Sequence, residues 1–211
     1  GVDAYGSGVP TEGLEVYMRE GRDILVFPTH DNLTCIWVGR PSAEWPDYRA
    51  DIDEEVREIP PNVTTFLLCC GAGRFYFPTK VGRVDPRLKQ LNAEHARGND
   101  PFGYFLEKLH ASGKETFITF RMNDVHNPTD ADHWNMPLVR EQHPDVIARP
   151  EAAARGDPEW MNWSLDFSRP EVETYVRAML TEVVERYATS MDGLQLDWMR
   201  FPRHLSGVGD E

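Results

Sequence analysis

The chain has 211 residues, 40% of them hydrophobic, enough apolar side chains for one large core or two small ones. Its 35 acidic residues against 22 basic give a formal net charge of −13, which argues against non-specific binding to nucleic acid or to an anionic membrane. No apolar run approaches the ~20 residues of a membrane span, and three cysteines make no disulfide framework. The chain opens on Gly1 without a basic-then-apolar leader, so the cytoplasm is the default expectation.

In chain order, the first predicted elements are short strands. Residues 15–19, a turn at Glu20-Gly21-Arg22, residues 24–27 and then 33–38 read as an antiparallel meander. Residues 47–57 read as a helix, broken by Ile59-Pro60-Pro61-Asn62. Texture changes there, which predicts a small β-rich segment over 1–57 and a second unit over 58–211.

From residue 58 onward the grammar is α/β. Residues 63–70 form a continuous apolar run suited to a strand buried on both faces. The pair Cys69-Cys70 lies within it, where free thiols behave as small apolar groups. Residues 102–112 read as a helix stopped by Gly113, and 115–120 as the next strand, ending in Arg121, Asn123, Asp124 and His126. After a polar, Trp-containing excursion, 161–167 reads as a short strand. Ser168 is the expected cap of a helix that Pro170 and Glu171 open. Val172, Tyr175, Val176, Met179, Leu180, Val183 and Val184 share one stripe of that helix. A last strand, 194–198, runs into Asp197, Trp198, Arg200 and Pro202.

In parallel α/β folds the C-terminal ends of the strands meet ligands, and in (β/α)8 barrels they hold the chemistry. Asp197 is therefore a candidate catalytic carboxylate, with Asp124 and Asp166 as the other strand-end carboxylates. Glycosidases need two such groups, about 5–5.5 Å apart for retention and about 6.5–9.5 Å for inversion. Arg121, Asn123, His126 and Arg200 suit hydrogen bonds to sugar hydroxyls, and Trp134, Trp160, Trp163 and Trp198 suit stacking on sugar rings. Each residue has a plainer alternative. Asp197 can cap a following helix or pair with Arg200, Arg121 can pair with Asp124, and Asp166 can face the positive end of the helix after Ser168. His126 and His133 lie near Asp130 and Asp132 but match no strong zinc spacing, so no metal is expected.

Two resemblances add to this reading. Residues 24–35, with Pro28-Thr29-His30-Asp31-Asn32-Leu33-Thr34, and 45–52 resemble the substrate-side sheet of flavin-dependent monooxygenases and oxidoreductases, with Asn32 where Gly is usual. The Gly-rich dinucleotide fingerprint is missing, so no FAD or other cofactor is expected. Residues 58–205 resemble the N-terminal half of a glycosyl hydrolase-like TIM barrel of the family-ten-like type. The residues that carry it are 64–81 with Pro78-Thr79-Lys80, Phe120-Arg121-Met122-Asn123-Asp124, and 165–187 followed by Asp192-Gly193-Leu194-Gln195-Leu196-Asp197. That resemblance implies a partial (β/α)8 barrel after a small antiparallel segment. It implies a glycoside hydrolase acting on a carbohydrate substrate, with Asp197 central. The Asp-Gly ending is shared with α-amylase-like barrels, in which the final Asp is the nucleophile. Gln195 stands where those enzymes carry Arg, so that role stays open. A half-barrel leaves an unpaired strand edge through which copies can associate. A non-catalytic carbohydrate-binding module and a remnant of a flavin oxidoreductase are the competing readings.

Overall fold

A computed structural model describes residues 48–123 and 136–198, apart from 60, 62, 72, 87 and 157–159. Ahead of these it describes the backbone of three strands, and of residues 160 and 161 the backbone alone. Those strands, β1 (Glu15–Arg19), β2 (Arg22–Thr29) and β3 (Asn32–Trp37), form the expected antiparallel meander. The helix α1 (Tyr48–Glu58) leads to β4 (Val63–Cys69), and α2 (Lys89–Ala96) and α3 (Pro101–Ala111) lead to β5 (Glu115–Arg121). Then come α4 (Leu138–Gln142), α5 (Pro150–Ala154), a 3-10 turn (Trp160–Trp163), α6 (Pro170–Tyr187) and β6 (Gly193–Asp197).

All six strands join one sheet in the order β1 to β6. The β3–β4, β4–β5 and β5–β6 pairings are parallel, as helical crossovers require. The texture change near residue 57 thus falls between two strands, β3 and β4, that pair directly. The fold is mixed α/β, with strands in the sequential order that a barrel also uses. Among the described residues it has three parallel pairings and two antiparallel ones, and the described strands do not close on one another.

Side chains alternate across the sheet. Phe66, Leu68 and Cys70, Ile118, Phe120 and Met122, and Leu194 face the core packed by α1, α3 and α6. Ile52, Phe105, Leu106, Leu109, Met179 and Val183 supply the helical side of that core. The alternate positions, Thr65, Leu67 and Cys69, Phe117, Thr119 and Arg121, and Gly193, Gln195 and Asp197, share the opposite face. On that face the Thr119 hydroxyl donates to Gln195 Oε1 at 2.7 Å.

Beyond β4 the chain turns back at Gly71, whose φ of +129° and 2.1 Å clearance from the Arg74 carbonyl leave no room for a side chain. This turn buries Phe75 and Phe77 completely and stacks them against Phe120, Phe102 and Tyr187. Full burial of such rings is worth about 1.5–3 kcal/mol each. Glu182 of α6 holds the end of the same loop, accepting from Thr79 Oγ1 at 2.6 Å and from the Lys80 N–H at 2.7 Å. Both cysteines of β4's end are buried free thiols, and burial pushes the Cys70 thiol well up from its ordinary value.

Two expectations change. The strand expected over 161–167 is instead the 3-10 turn followed by an isolated Ile147–Leu165 bridge. The Asn123 amide causes this. Its Nδ2 donates to the Leu165 carbonyl at 3.1 Å, and its Oδ1 accepts the Leu165 N–H at 2.8 Å, taking both groups that a sheet ladder would use. The α6 cap also moves, from Ser168 to Arg169. Pro170 opens the helix as expected and forces an extended conformation on Arg169 (φ −85°, ψ 129°), so Arg169, next to the first helical residue, is the cap.

Candidate functional site

The two ends of β6 are built differently. At its start, Asp192 accepts the Thr116 N–H at 2.7 Å through Oδ2 and donates its own N–H to the Thr116 carbonyl, also at 2.7 Å. Asp192 thus locks β6 onto β5. Gly193 follows because a Cβ there would lie 2.7 Å from the Phe117 ring. The first Asp of the Asp-Gly motif is structural.

Asp197 closes the opposite, C-terminal end. It is in register with Arg121 of β5, and its carbonyl accepts the Met122 N–H at 3.0 Å. The pleat puts Asp197 and Arg121 on the sheet face away from the helices, both half-buried. Trp198, the next residue in the chain, is 39% exposed and meets Phe167 edge-on, with centroids 4.7 Å apart. The strand ends therefore bring together Asp197 and Arg121, while Trp198 packs on Phe167 toward the α6 side.

The other expected residues are placed differently. Asn123 is buried and holds the Leu165 backbone. Asp166, 2% exposed, accepts both the N–H and the hydroxyl of Ser168 through Oδ1, at 2.9 and 2.7 Å, a local turn ahead of α6. Trp163 lies under the Arg140 guanidinium, 4.9 Å from its ring centroid. Asp124, His126, Trp134 and Arg200 fall outside the described residues, as do His133 and its neighbouring acids and the side chain of Trp160.

Two residues of this region escaped sequence reasoning, Arg140 and Tyr175. With Arg121, Asn123 and Trp163 they line a cavity of about 20 Å³ at the end of β5, room for a single water. Burial pushes the Arg140 guanidinium down to about 10 and raises the Tyr175 phenol. The indole N–H of Trp163 and the hydroxyl of Tyr175 are both buried without a hydrogen-bond partner. Neither position stands out in sequence, because an Arg in a five-residue helix and a Tyr on an apolar stripe carry no motif. Among the described residues no group of three or more His, Cys, Asp and Glu side chains is arranged to hold a metal ion, and no helix is long and apolar enough to cross a membrane.

A search of curated proteins gives no match to this chain. A family model does match it, and that match starts with β1, so the residues likened to flavin-dependent enzymes and those likened to hydrolases fall within one family. Matched over residues 15–208, the chain belongs to the family described as Glycosyl hydrolase-like 10.

Proposed function

We propose that the chain binds a glycan across the C-terminal ends of β4 to β6 and that Asp197 is one of the two carboxylates acting on the glycosidic bond. The observation that carries this reading is the position of Asp197. It is half-buried at the end of β6, in register with Arg121 and on the sheet face opposite the core packed by α1, α3 and α6. Such strand ends are where parallel α/β proteins meet their ligands. Membership of a glycosyl hydrolase-like family supports a carbohydrate role for the same edge. Trp198 offers an exposed aromatic surface at the same strand end, packed on Phe167, and Arg121 a hydrogen-bond donor for sugar hydroxyls beside Asp197. Asp124, three residues beyond Arg121 in sequence, is the proposed second carboxylate. Asp166 serves less well, since its Oδ1 holds the Ser168 turn.

Hydrolysis of a panel of chromogenic glycosides by the chain and by an Asp197→Asn variant tests this. The expected loss is about 10²- to 10⁴-fold in turnover, the range for removing a positioned acid or base. Equal turnover by both proteins would remove Asp197 from the mechanism. A non-catalytic binding module is the second reading, favoured by the commitment of Asn123 and Asp166 to backbone support. It stands if both proteins bind glycans equally and neither cleaves them. The flavin-oxidoreductase reading has the least support, because no Gly-rich fingerprint accompanies the meander and the family match runs through it.

A further inference from the structure

Three elements meet at the end of β5: α4 with Arg140, the 3-10 turn with Trp163, and α6 with Tyr175. These residues line one cavity of about 20 Å³. The polar side chains around it are chiefly donors. Arg121 and Arg140 bring guanidiniums, Trp163 an indole N–H, and Asn123 an amide whose Oδ1 already accepts the Leu165 N–H. The Trp163 Nε1 and the Tyr175 hydroxyl are buried and make no hydrogen bond. The Leu138 N–H lies toward the Tyr175 oxygen without closing a bond to it. Buried polar groups in native folds are rarely left so, and two of them on one cavity point to a ligand that accepts from both.

We propose that this cavity is a halide site, in which a chloride ion accepts from the Trp163 indole N–H and the Tyr175 hydroxyl beside the Arg140 guanidinium. Size selects the class of ligand. A volume of about 20 Å³ takes one water-sized or halide-sized body and excludes phosphate, sulfate or a carboxylate. Proton bookkeeping then separates chloride from water. A water bridging the two donors must place its own two protons on acceptors, whereas a halide accepts from every side. Charge points the same way. Arg140 is 8% exposed, its guanidinium lies 4.9 Å from the Trp163 ring centroid, and no Asp or Glu among the described residues lines the cavity. Glu141, the next residue of α4, is engaged by Arg74 at 2.5 Å and by Arg83 at 2.8 Å. Burial makes the Arg140 charge costly and pulls its guanidinium down to about 10, a cost that an anion in the same cavity offsets. The ion links α4, the 3-10 turn and α6 at the strand end that carries Arg121. The inference rests on the donors and the volume and is independent of the glycan reading.

Urea unfolding of the full chain, with sodium gluconate replaced stepwise by sodium chloride at fixed ionic strength, tests it. Gluconate is too large for the cavity, so screening stays constant while the ligand changes. Chloride at ten times its dissociation constant is expected to raise the folding equilibrium constant about elevenfold. Broadening of the chloride nuclear magnetic resonance line reports the bound ion directly. Tyr175→Phe removes only the hydroxyl, and Trp163→Phe removes the N–H with part of the ring. Each is expected to weaken chloride binding by about tenfold or more. In gluconate Tyr175→Phe is expected to match wild type, because the oxygen it removes has no hydrogen bond to lose. Equal wild-type stability in the two salts, with no line broadening, would leave the cavity to water and overturn the inference. A chloride effect undiminished in both variants would overturn it too, by placing the ion elsewhere.

Discussion

Two carboxylates five positions apart, Asp192 and Asp197, show how far a motif can be read without geometry. In sequence they form one signature. In space they stand at opposite ends of β6, one pinning Thr116 and the other beside Arg121. The strand-end position of Asp197 was legible, because an apolar strand that ends in a carboxylate has few other arrangements. The duties of Asn123 and Asp166 were not, since a polar residue after a strand reads the same whether it faces a ligand or a distant backbone. The Asn123 duty is directly measurable. Asn123→Ala leaves the buried N–H and carbonyl of Leu165 without partners, which costs about 1–3 kcal/mol. For a chain of this size that corresponds to a fall of roughly 2–12 °C in melting temperature. Asn123→Asp keeps an acceptor for the N–H but sets carboxylate lone pairs against the Leu165 carbonyl, so it is expected to rescue little. A melting temperature within a degree of wild type for both variants would show that the Leu165 contact contributes nothing.

At the scale of elements, the loop after β4 depends on α6. Glu182 accepts from Thr79 and from the Lys80 N–H, while the Thr79 hydroxyl oxygen accepts the Val81 and Gly82 N–H groups at 3.1 and 3.0 Å. Glu182→Ala removes charge-assisted bonds of about 1.5–3 kcal/mol each, offset in part by water at this loop. The expected loss is about 2 kcal/mol in urea denaturation, with faster amide exchange confined to residues 79–82. Uniform exchange across the chain would argue against a local clamp. The elements themselves were largely readable. The meander, α1, β4, α3, β5, α6 and β6 announce themselves through period-2 or period-3.6 patterns, and Gly113 stops α3 with a φ of +79°. The helix α2 does not, because Leu91 is its one buried residue and no stripe forms. The segment 161–167 misled for the opposite reason. A short apolar run looks like a strand whether or not a sheet has backbone groups to offer it. The parallel β3–β4 pairing across the texture change was likewise invisible, since pairing direction depends on the crossover rather than on local composition.

At the scale of the whole molecule, His95 makes stability fall on mild acidification. Both of its ring nitrogens are buried on α2 without hydrogen-bond partners. Burial holds the imidazole below its ordinary range. Asp100 and Glu94 favour its protonation, and Arg186 opposes it, without reversing the direction. The folded chain therefore resists a proton that the unfolded chain accepts at the usual value of about 6.5. The stability tied to this group is fully present above pH 6.5 and declines as the pH drops from there toward the lowered folded value. The exposed carboxylates Asp53 and Asp145, drawn below their usual range by hydrogen bonds from Lys108 and Arg169, act in the same direction. Their window lies lower, below about pH 4. Among the described groups with a shifted titration, His95 is the one whose window lies between pH 6.5 and 5. Urea melts across it are expected to lose stability steadily for the wild-type chain and to flatten for His95→Phe, which keeps a ring of similar shape and removes two unpartnered polar atoms. At pH 7.5 the variant is expected to match or exceed wild type, because nothing bonded to the imidazole is lost. A variant that declines with pH as steeply as wild type would assign the acid sensitivity to other groups.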